Sequence, residues 1–233
     1  IVTFMHILKV SILAMHFSSQ MGFENDDILD IGLAALFHDI GKIYISRKVI
    51  KKPDKLTKEE FDMISNHTTI GAEIMLNHVD TLGILPVIVA YEHHVKYDGR
   101  GYPKLAPYHT THIASQITGL CDVYDALTER RSYKENFSPD VVYSIMNKGR
   151  GEHFDPELFD IFFKVVGVWP IGSVVQLSDN RIAIVRDINS DAIDQPMVEI
   201  TEKNEKISLA DSDISITRAL NPRTDGKPYL KYI

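Results

Sequence analysis

The sequence predicts a mostly α-helical bundle followed by a small C-terminal antiparallel β module. Up to about residue 166, apolar residues return every three or four positions, which is the period of helices that bury one face. The helical pattern is broken at 169–172, and short alternating segments typical of strands follow, namely SVVQL, RIAIVRDI and PMVEI. We therefore predict a helical domain over residues 1–166 and a β module over residues 167–233.

Composition limits the classes of protein that the chain can be. Its 233 residues, 44% of them hydrophobic, can bury a core in one domain and a small appendage. The single cysteine, Cys121, excludes an internal disulfide and a cysteine-rich zinc module, and it is compatible with a reducing compartment such as the cytoplasm. A net charge of −7 argues against general binding of DNA or RNA. The first helix, 1–17, is apolar, but His6, Lys9 and His16 interrupt it, so we predict a core helix.

Two more helices are predicted from their termini. One begins at the acidic run 25–27 and is expected to continue to Gly41, which places His38 and Asp39 in its last turn. The next begins at Thr57, where residues 57–60 form a capping box, and it is expected to carry His67.

The remaining predicted helices also carry histidine or aspartate. The segment LPVIVAYEHH is expected to end in the adjacent pair His93 and His94. A helix from about 112 to 127 carries Asp122 and Asp125, whose three-residue spacing places both carboxylates on one face.

These residues together predict a metal site. Neutral imidazole suits iron, manganese or zinc, and a carboxylate can hold two cations at once. An isolated histidine is usually an ordinary core or surface residue, and we interpret His16, His78, His109, His112 and His153 in that way. Two adjacent buried imidazoles are harder to satisfy without a metal. We assign to one ion His6, His38, Asp39 and Asp122, and to the other His67, His93 and His94, with Asp39 bridging the two.

Several motifs in order resemble those of a known family. The segment 38–42 reads HDIGK, 93–103 reads HHVKYDGRGYP, and 122–134 reads DVYDALTERRSYK. On these motifs the chain resembles the HD-GYP family of the HD phosphohydrolase superfamily, which hydrolyses the bacterial second messenger cyclic di-GMP. The segment 170–177 is similar to the β appendage of many members. The resemblance implies an HD-type helical bundle and a bacterial signalling enzyme.

The resemblance also implies residue roles. The seven residues assigned above match the family's metal ligands, and Lys42 matches a lysine that holds a phosphate oxygen. Arg131 and Lys134 match basic residues that bind the dinucleotide's phosphates. The segment 98–103 is expected to hold Tyr102 at the pocket rim, because Gly99 and Gly101 can take backbone angles closed to other residues. The expected catalytic residues are Lys42 and Asp39, and the expected substrate-binding residues are Arg131, Lys134, Tyr102, Gly99, Gly101 and Asp125.

Two positions depart from the family pattern. Val2 stands where members with a third metal have a glutamate, so we expect two divalent ions. Iron or manganese is favoured, since the ligands are nitrogen and carboxylate without thiolate. Val95 stands where many members have a glutamate, which removes a hydrogen bond that could support the ligands. The expected reaction is attack of a metal-bridged hydroxide on cyclic di-GMP, giving pGpG and/or GMP.

Other functions stay open at this point. The chain could be an HD hydrolase of another nucleotide, such as cyclic GMP-AMP. It could be a weakly active or inactive module that acts as a cyclic dinucleotide receptor or a protein-interaction domain, or a purely structural helical domain, against which the intact ligand set argues. Diguanylate cyclase (GGDEF) proteins are expected partners, and we expect regulatory domains upstream of residue 1 through which a homodimer could form.

Overall fold

The fold was analysed in a computed structural model that describes residues 4–50, 52–107, 109–128, 137–222 and 224–233. It is mostly helical with an antiparallel sheet near the C terminus, which confirms the predicted fold class. The chain forms two compact units. The first contains helices α1 to α8 and the segment Gly149–Pro156, and the second contains α9, α10 from Glu157 onward and the sheet. The predicted division into functional domains at residue 166 stays a prediction.

Among the described residues, the first unit contains eight α-helices with these bounds: α1 (Phe4–Gln20), α2 (Asn25–Leu36), α3 (Arg47–Ile50), α4 (Lys58–Ser65), α5 (His67–Leu76), α6 (Val79–Leu82), α7 (Leu85–Glu92) and α8 (Ile113–Thr128). Helix α1 packs against α2 and α8, and α7 packs against α2 and α5. The inner face of α1 buries Val10, Ala14 and Phe17 completely, as the core-helix interpretation requires. Within the described ranges, no helix is both long and apolar enough to span a bilayer.

The helix that was predicted to continue to Gly41 is shorter. Helix α2 ends at Leu36, and the amide of Phe37 bonds back only to the last turn. His38 and Asp39 lie in the turn that follows, and Asp39 is the N-cap of a 3-10 helix, Ile40–Tyr44. The prediction that these two residues sit inside the last turn of the helix was therefore wrong. A glycine near a helix end is compatible with several backbone conformations. In this structure Gly41 lies in the 3-10 helix, where its backbone contacts α5.

The position of His67 was also predicted inexactly. The capping box at Thr57 is confirmed, since Thr57 Oγ1 accepts the Glu60 amide at 3.2 Å and Glu60 Oε2 accepts the Thr57 amide at 2.8 Å. Helix α4 nevertheless ends at Ser65, and His67 is the first residue of the next helix, α5. The break places His67 at a helix start, where its backbone can approach the 3-10 helix.

The second unit combines two helices with the sheet: α9 (Pro139–Asn147), α10 (Pro156–Val166), β1 (Val174–Leu177), β2 (Ile182–Asp187), β3 (Met197–Ile200), β4 (Glu205–Ser208) and β5 (Ile216–Ala219). All pairings are antiparallel, in the order β4-β3-β2-β1-β5. The first three strands match the sequence prediction. Strands β4 and β5 were not predicted, because both are short and carry exposed polar residues.

Candidate metal centre

Gly41 brings the two halves of the candidate site together. A Cβ atom at this position would lie 2.0 Å from the His67 carbonyl oxygen and 2.7 Å from the Gly71 amide nitrogen, so only glycine fits without a shift. The resulting contact between the 3-10 helix and α5 places Asp39 Oδ1 3.2 Å from His67 Nε2. Both side chains are buried. The glycine of the HDIGK segment therefore has a direct packing role beside the ligands.

Three histidines are oriented by backbone carbonyls one turn earlier. The Nδ1 atoms donate hydrogen bonds from His38 to Ala35 O at 2.6 Å, from His67 to Ile64 O at 2.7 Å and from His93 to Val89 O at 3.0 Å. A carbonyl can only accept, so Nδ1 carries a proton in each ring, and in the neutral form Nε2 is left with a free lone pair. This is the tautomer that a metal-ligating histidine needs.

The free nitrogens converge on Asp39. One group of ligand atoms within 4.8 Å of one another comes from Asp39, His67, His93 and His94, and a second comes from His6, His38 and Asp39. His67 Nε2 and His93 Nε2 lie only 3.3 Å apart. Two lone pairs facing each other at this distance repel unless a proton or a cation lies between them. Asp39 belongs to both groups, which is the arrangement expected of a bridging carboxylate.

Asp122 completes the second group. Its Oδ1 atom lies 3.0 Å from His6 Nε2 and 4.0 Å from His38 Nε2. Asp125, one turn later on α8, accepts a hydrogen bond from His6 Nδ1 at 2.7 Å. The two carboxylates share a face, as predicted, and hold the two nitrogens of one imidazole. Asp125 is thereby placed to orient His6, whereas its predicted contact with substrate stays a prediction.

The buried polar atoms support a cation in this site. Among the described residues, His38 Nε2 and Asp39 Oδ1 are buried without a hydrogen-bond partner. Leaving such atoms unsatisfied costs free energy of about 1–3 kcal/mol each. A divalent ion bound by nitrogen and carboxylate ligands would satisfy both atoms, so the residues present fit a metal. The seven predicted ligands are gathered as the sequence suggested, and their roles as ligands are part of the proposal below.

Electrostatics prepare the first group for metal binding. Burial lowers the pKa of His93 to about 4, and burial together with the neighbouring His93 lowers that of His94 well below its usual value. Both rings are therefore neutral at pH 7 and available to a metal. Burial alone would raise the pKa of Asp39, but the charges of His38 and Lys42 outweigh it and keep the carboxylate ionised.

His6 is protonated in the metal-free protein. Burial opposes its charged form, but the hydrogen bonds to Asp122 and Asp125 outweigh this and raise its pKa to about 9. The pKa of His38 is also raised, because the negative charge of the nearby Asp39 carboxylate outweighs the effect of burial. Binding a cation at this second group must therefore release protons.

Lys42 lies beside the shared carboxylate. Its Nζ atom donates to Asp39 Oδ2 at 2.6 Å, and about a quarter of the side chain is exposed. An ammonium group in this position could move a short distance to meet an anionic ligand at the metal centre. Its predicted phosphate-binding role stays a prediction.

Tyr102 stands against the first ligand group. Its ring centroid is 4.7 Å from that of His94 and 6.1 Å from that of His67. The loop that carries Tyr102 is held close by Gly101, whose φ is +97° and whose Cβ would lie 2.2 Å from the His94 carbonyl oxygen. Gly99 has a φ of +77°. The positive backbone angles predicted for the two glycines are confirmed.

Sequence reasoning missed a buried carboxylate next to the histidine pair. Glu92 accepts hydrogen bonds from the His112 amide at 2.8 Å, Ser115 Oγ at 2.9 Å and His109 Nε2 at 2.8 Å. It therefore ties the end of α7, which leads into His93, to the start of α8. The signal was a lone charge in the apolar segment LPVIVAYE, where an unpaired acid would be costly.

Other predicted residues lie outside the site or outside the described residues. Neither ligand group contains a member of the set that was interpreted as ordinary histidines: His16, His78, His109, His112 and His153. Arg131, Lys134 and Val2 lie outside the residues that the structure describes. Their predicted roles stay predictions.

Comparison with known proteins agrees with this geometry. A family model described as HD domain matches residues 5–158. A cyclic di-GMP phosphodiesterase of Pseudomonas aeruginosa, PA4108, is 31% identical over 218 residues, covering 93% of this chain and 52% of that protein. A 3'3'-cGAMP-specific phosphodiesterase of Vibrio cholerae is 31% identical over 166 residues, covering 70% of this chain and 37% of that protein. The chain thus spans about half or less of the length of these two relatives.

A solved structure shares the fold of this chain. The solved structure of Bd1817, an HDG"Y"P protein from Bdellovibrio bacteriovorus, matches with a TM-score of 0.53 and 14% identity, covering 67% of this chain and 50% of that one. At this identity the match shows the fold alone. With the HD domain matched from residue 5 to residue 158 and the HDIGK and HHVKYDGRGYP motifs in order, the chain belongs to the HD domain family, as its resemblance to HD-GYP members indicated.

Proposed function

We propose that this protein is a metal-dependent phosphodiesterase that hydrolyses cyclic di-GMP to pGpG and/or GMP. The observation that carries the proposal is the shared, buried carboxylate of Asp39 between two adjoining groups of histidines. Such an arrangement suits hydrolysis of a phosphodiester, whose negative charge repels hydroxide in water. The name of the Pseudomonas aeruginosa relative, which is a cyclic di-GMP phosphodiesterase, supports the choice of substrate.

Two divalent ions are proposed, one for each ligand group. His67, His93 and His94 would hold one ion, and His6, His38 and Asp122 the other, with Asp39 between them. Iron or manganese is favoured, because the donors are imidazole nitrogens and carboxylates without a thiolate. When bound, the ions would supply a nucleophile from water at neutral pH and neutralise charge on the phosphate.

The side chains around the ligands would bind the substrate. Lys42, which contacts Asp39 and is partly exposed, would donate to a non-bridging phosphate oxygen and stabilise the charge that grows on it in the transition state. Arg131 and Lys134 would bind the phosphate away from the reacting centre. Tyr102, on the loop shaped by Gly99 and Gly101, would form one wall of the pocket.

The test combines metal analysis with a hydrolysis assay. Protein purified without oxygen should contain two ions per chain and convert cyclic di-GMP to pGpG or GMP. Asp39→Ala should lose both metal and activity, whereas His78→Ala, which removes an exposed histidine outside both ligand groups, should keep both. Three fully occupied ions would contradict the two-metal proposal. Metal-loaded protein without hydrolysis of any cyclic dinucleotide would contradict the enzymatic one.

A second substrate is supported by a specific observation. The Vibrio cholerae relative is named as specific for 3'3'-cGAMP, and it matches with the same identity as the Pseudomonas aeruginosa protein. A panel of cyclic di-GMP, 3'3'-cGAMP and cyclic di-AMP at equal concentrations would decide between the substrates by their kcat/KM values. Tight binding of cyclic di-GMP without turnover would instead favour the receptor alternative raised by Val95. GGDEF partners, a homodimer and a cytoplasmic location stay predictions.

A further inference from the structure

Phe61 is a large aromatic residue close to the metal centre that has no assigned role. It lies on α4, and about half of its surface (48%) is exposed. Its ring meets Tyr102 edge to face, with centroids 5.7 Å apart and planes at 89°. Tyr102 in turn contacts the ring of His94 at 4.7 Å. Phe61 is thus two aromatic contacts away from a candidate metal ligand.

The backbone at Phe61 is well anchored. The capping box between Thr57 and Glu60 begins the helix, and Lys52 Nζ donates to Glu60 Oε2 at 2.6 Å. Phe61 follows Glu60 directly, so its ring projects from a fixed helix start. A preorganised ring loses little conformational entropy when a ligand covers it, which favours binding.

The exposed aromatic surface has a chemical counterpart in the proposed substrate. Cyclic di-GMP offers phosphates to the metal centre and two flat purine bases that must find partners beside it. Base–aromatic stacking is strong and tolerates different bases, because every base has a π-face. Among the rings of the described residues that surround the candidate ligands, Tyr102 is partly buried, whereas Phe61 has about half of its surface exposed.

We propose that Phe61 is a substrate-binding residue that stacks on one guanine base of the bound dinucleotide. The inference rests on the proposed function, since it takes the metal centre as the place where a phosphate binds. Phe61 contributes to affinity for the nucleotide and leaves the reacting phosphate to the metal ligands. It adds no discrimination between guanine and adenine, because both bases stack.

The test separates the base from the phosphate. GMP and ribose 5-phosphate carry the same phosphate, and only GMP carries a base. Phe61→Ala should raise the KM for cyclic di-GMP and the inhibition constant of GMP by about tenfold, while kcat, metal content and the inhibition constant of ribose 5-phosphate stay unchanged. Phe61→Trp should restore tight binding. Phe61→Leu, which keeps apolar bulk without a π-face, should not.

Met63 provides a matched control on the same helix. It is 47% exposed, almost the same as Phe61, and lies two residues further along α4. Met63→Ala should leave the KM and both inhibition constants unchanged. Binding by Phe61→Leu that equals the wild type would overturn the proposal, as would equal weakening of GMP and ribose 5-phosphate in Phe61→Ala.

The stacking role of Phe61 can be tested even if the protein does not hydrolyse cyclic di-GMP. If the wild-type protein fails to hydrolyse cyclic di-GMP, the proposed function fails, but equilibrium dialysis of GMP and ribose 5-phosphate against the metal-loaded protein still tests the stacking. Selective loss of GMP binding in Phe61→Ala would support it there too. Wild-type protein that binds GMP no better than ribose 5-phosphate would overturn it.

Discussion

Gly41→Ala tests whether close backbone packing sets the geometry of the metal centre. The added Cβ would lie 2.0 Å from the His67 carbonyl oxygen, whereas non-bonded carbon and oxygen atoms require at least about 3 Å. The 3-10 helix that follows Asp39 must therefore move by about 1 Å relative to α5. Both contact atoms are backbone, so rotation of a side chain cannot relieve the clash. Asp39 Oδ1 and His67 Nε2, now 3.2 Å apart, would separate by a similar distance.

The expected cost falls on stability and more strongly on activity. Overpacking of this kind costs about 1–3 kcal/mol, which lowers the unfolding midpoint by roughly 2–12 °C in a chain of this size. A displacement of about 1 Å at a catalytic site can cost about 100-fold in rate. We expect Gly41→Ala to fold, to bind metal weakly and to lose at least about tenfold in kcat/KM. Thermal unfolding, metal content and turnover would be measured on the same preparation.

Gly71→Ala is the matched control from the other side of the same contact. A Cβ at Gly71 would lie 3.4 Å from Ala90 Cβ and 3.4 Å from the Gly41 amide, which is ordinary van der Waals contact. Alanine is also the better helix former, so this variant should be as stable as the wild type or slightly more so. If Gly41→Ala kept wild-type stability, metal content and turnover, the argument that this contact positions the ligands would be refuted.

Further predictions concern single side chains. Asp39→Ala should lose both metals and all measurable hydrolysis, and retention of two ions would disprove the shared-ligand assignment. Arg131→Ala should raise the KM about tenfold and make it less salt-dependent without changing metal content, since a phosphate contact contributes about 1.5–3 kcal/mol. Glu92→Ala should lower the free energy of unfolding by about 2–4 kcal/mol in chemical denaturation, because it leaves buried donors unsatisfied, and a loss below about 0.5 kcal/mol would contradict this. The pKa of His6 in the folded protein is raised to about 9, so protonated His6 stabilises the metal-free protein fully below pH 6.5. This contribution to the free energy of unfolding, at most about 3 kcal/mol, is lost as the pH rises through 9. The loss should be absent in His6→Gln.

The sequence by itself was enough for the fold class and for the residues that the structure gathers into two candidate ligand groups. Apolar residues with a period of about 3.6 predicted the helices, and alternating apolar and polar residues predicted strands β1 to β3. Both patterns are local, because an element that buries one face must carry apolar residues at regular spacing along the sequence. The capping box at Thr57 was readable for the same reason, since all its partners lie within four residues. The adjacent pairs His38-Asp39 and His93-His94 predicted the candidate metal centre because their chemistry is unusual even before folding.

Contacts between distant segments decided the rest. The helix before His38 ends at Leu36, and Gly41 packs against His67, a contact across 26 residues that no local pattern encodes. Glu92 and Phe61 gain their importance only from His112, Ser115 and Tyr102, which approach them in the folded chain. Local periodicity reports which face of an element is buried, but not which element covers it. The candidate ligands could therefore be named from the sequence, and their role as ligands stays a prediction, whereas their arrangement and the residues that contact them required the tertiary structure.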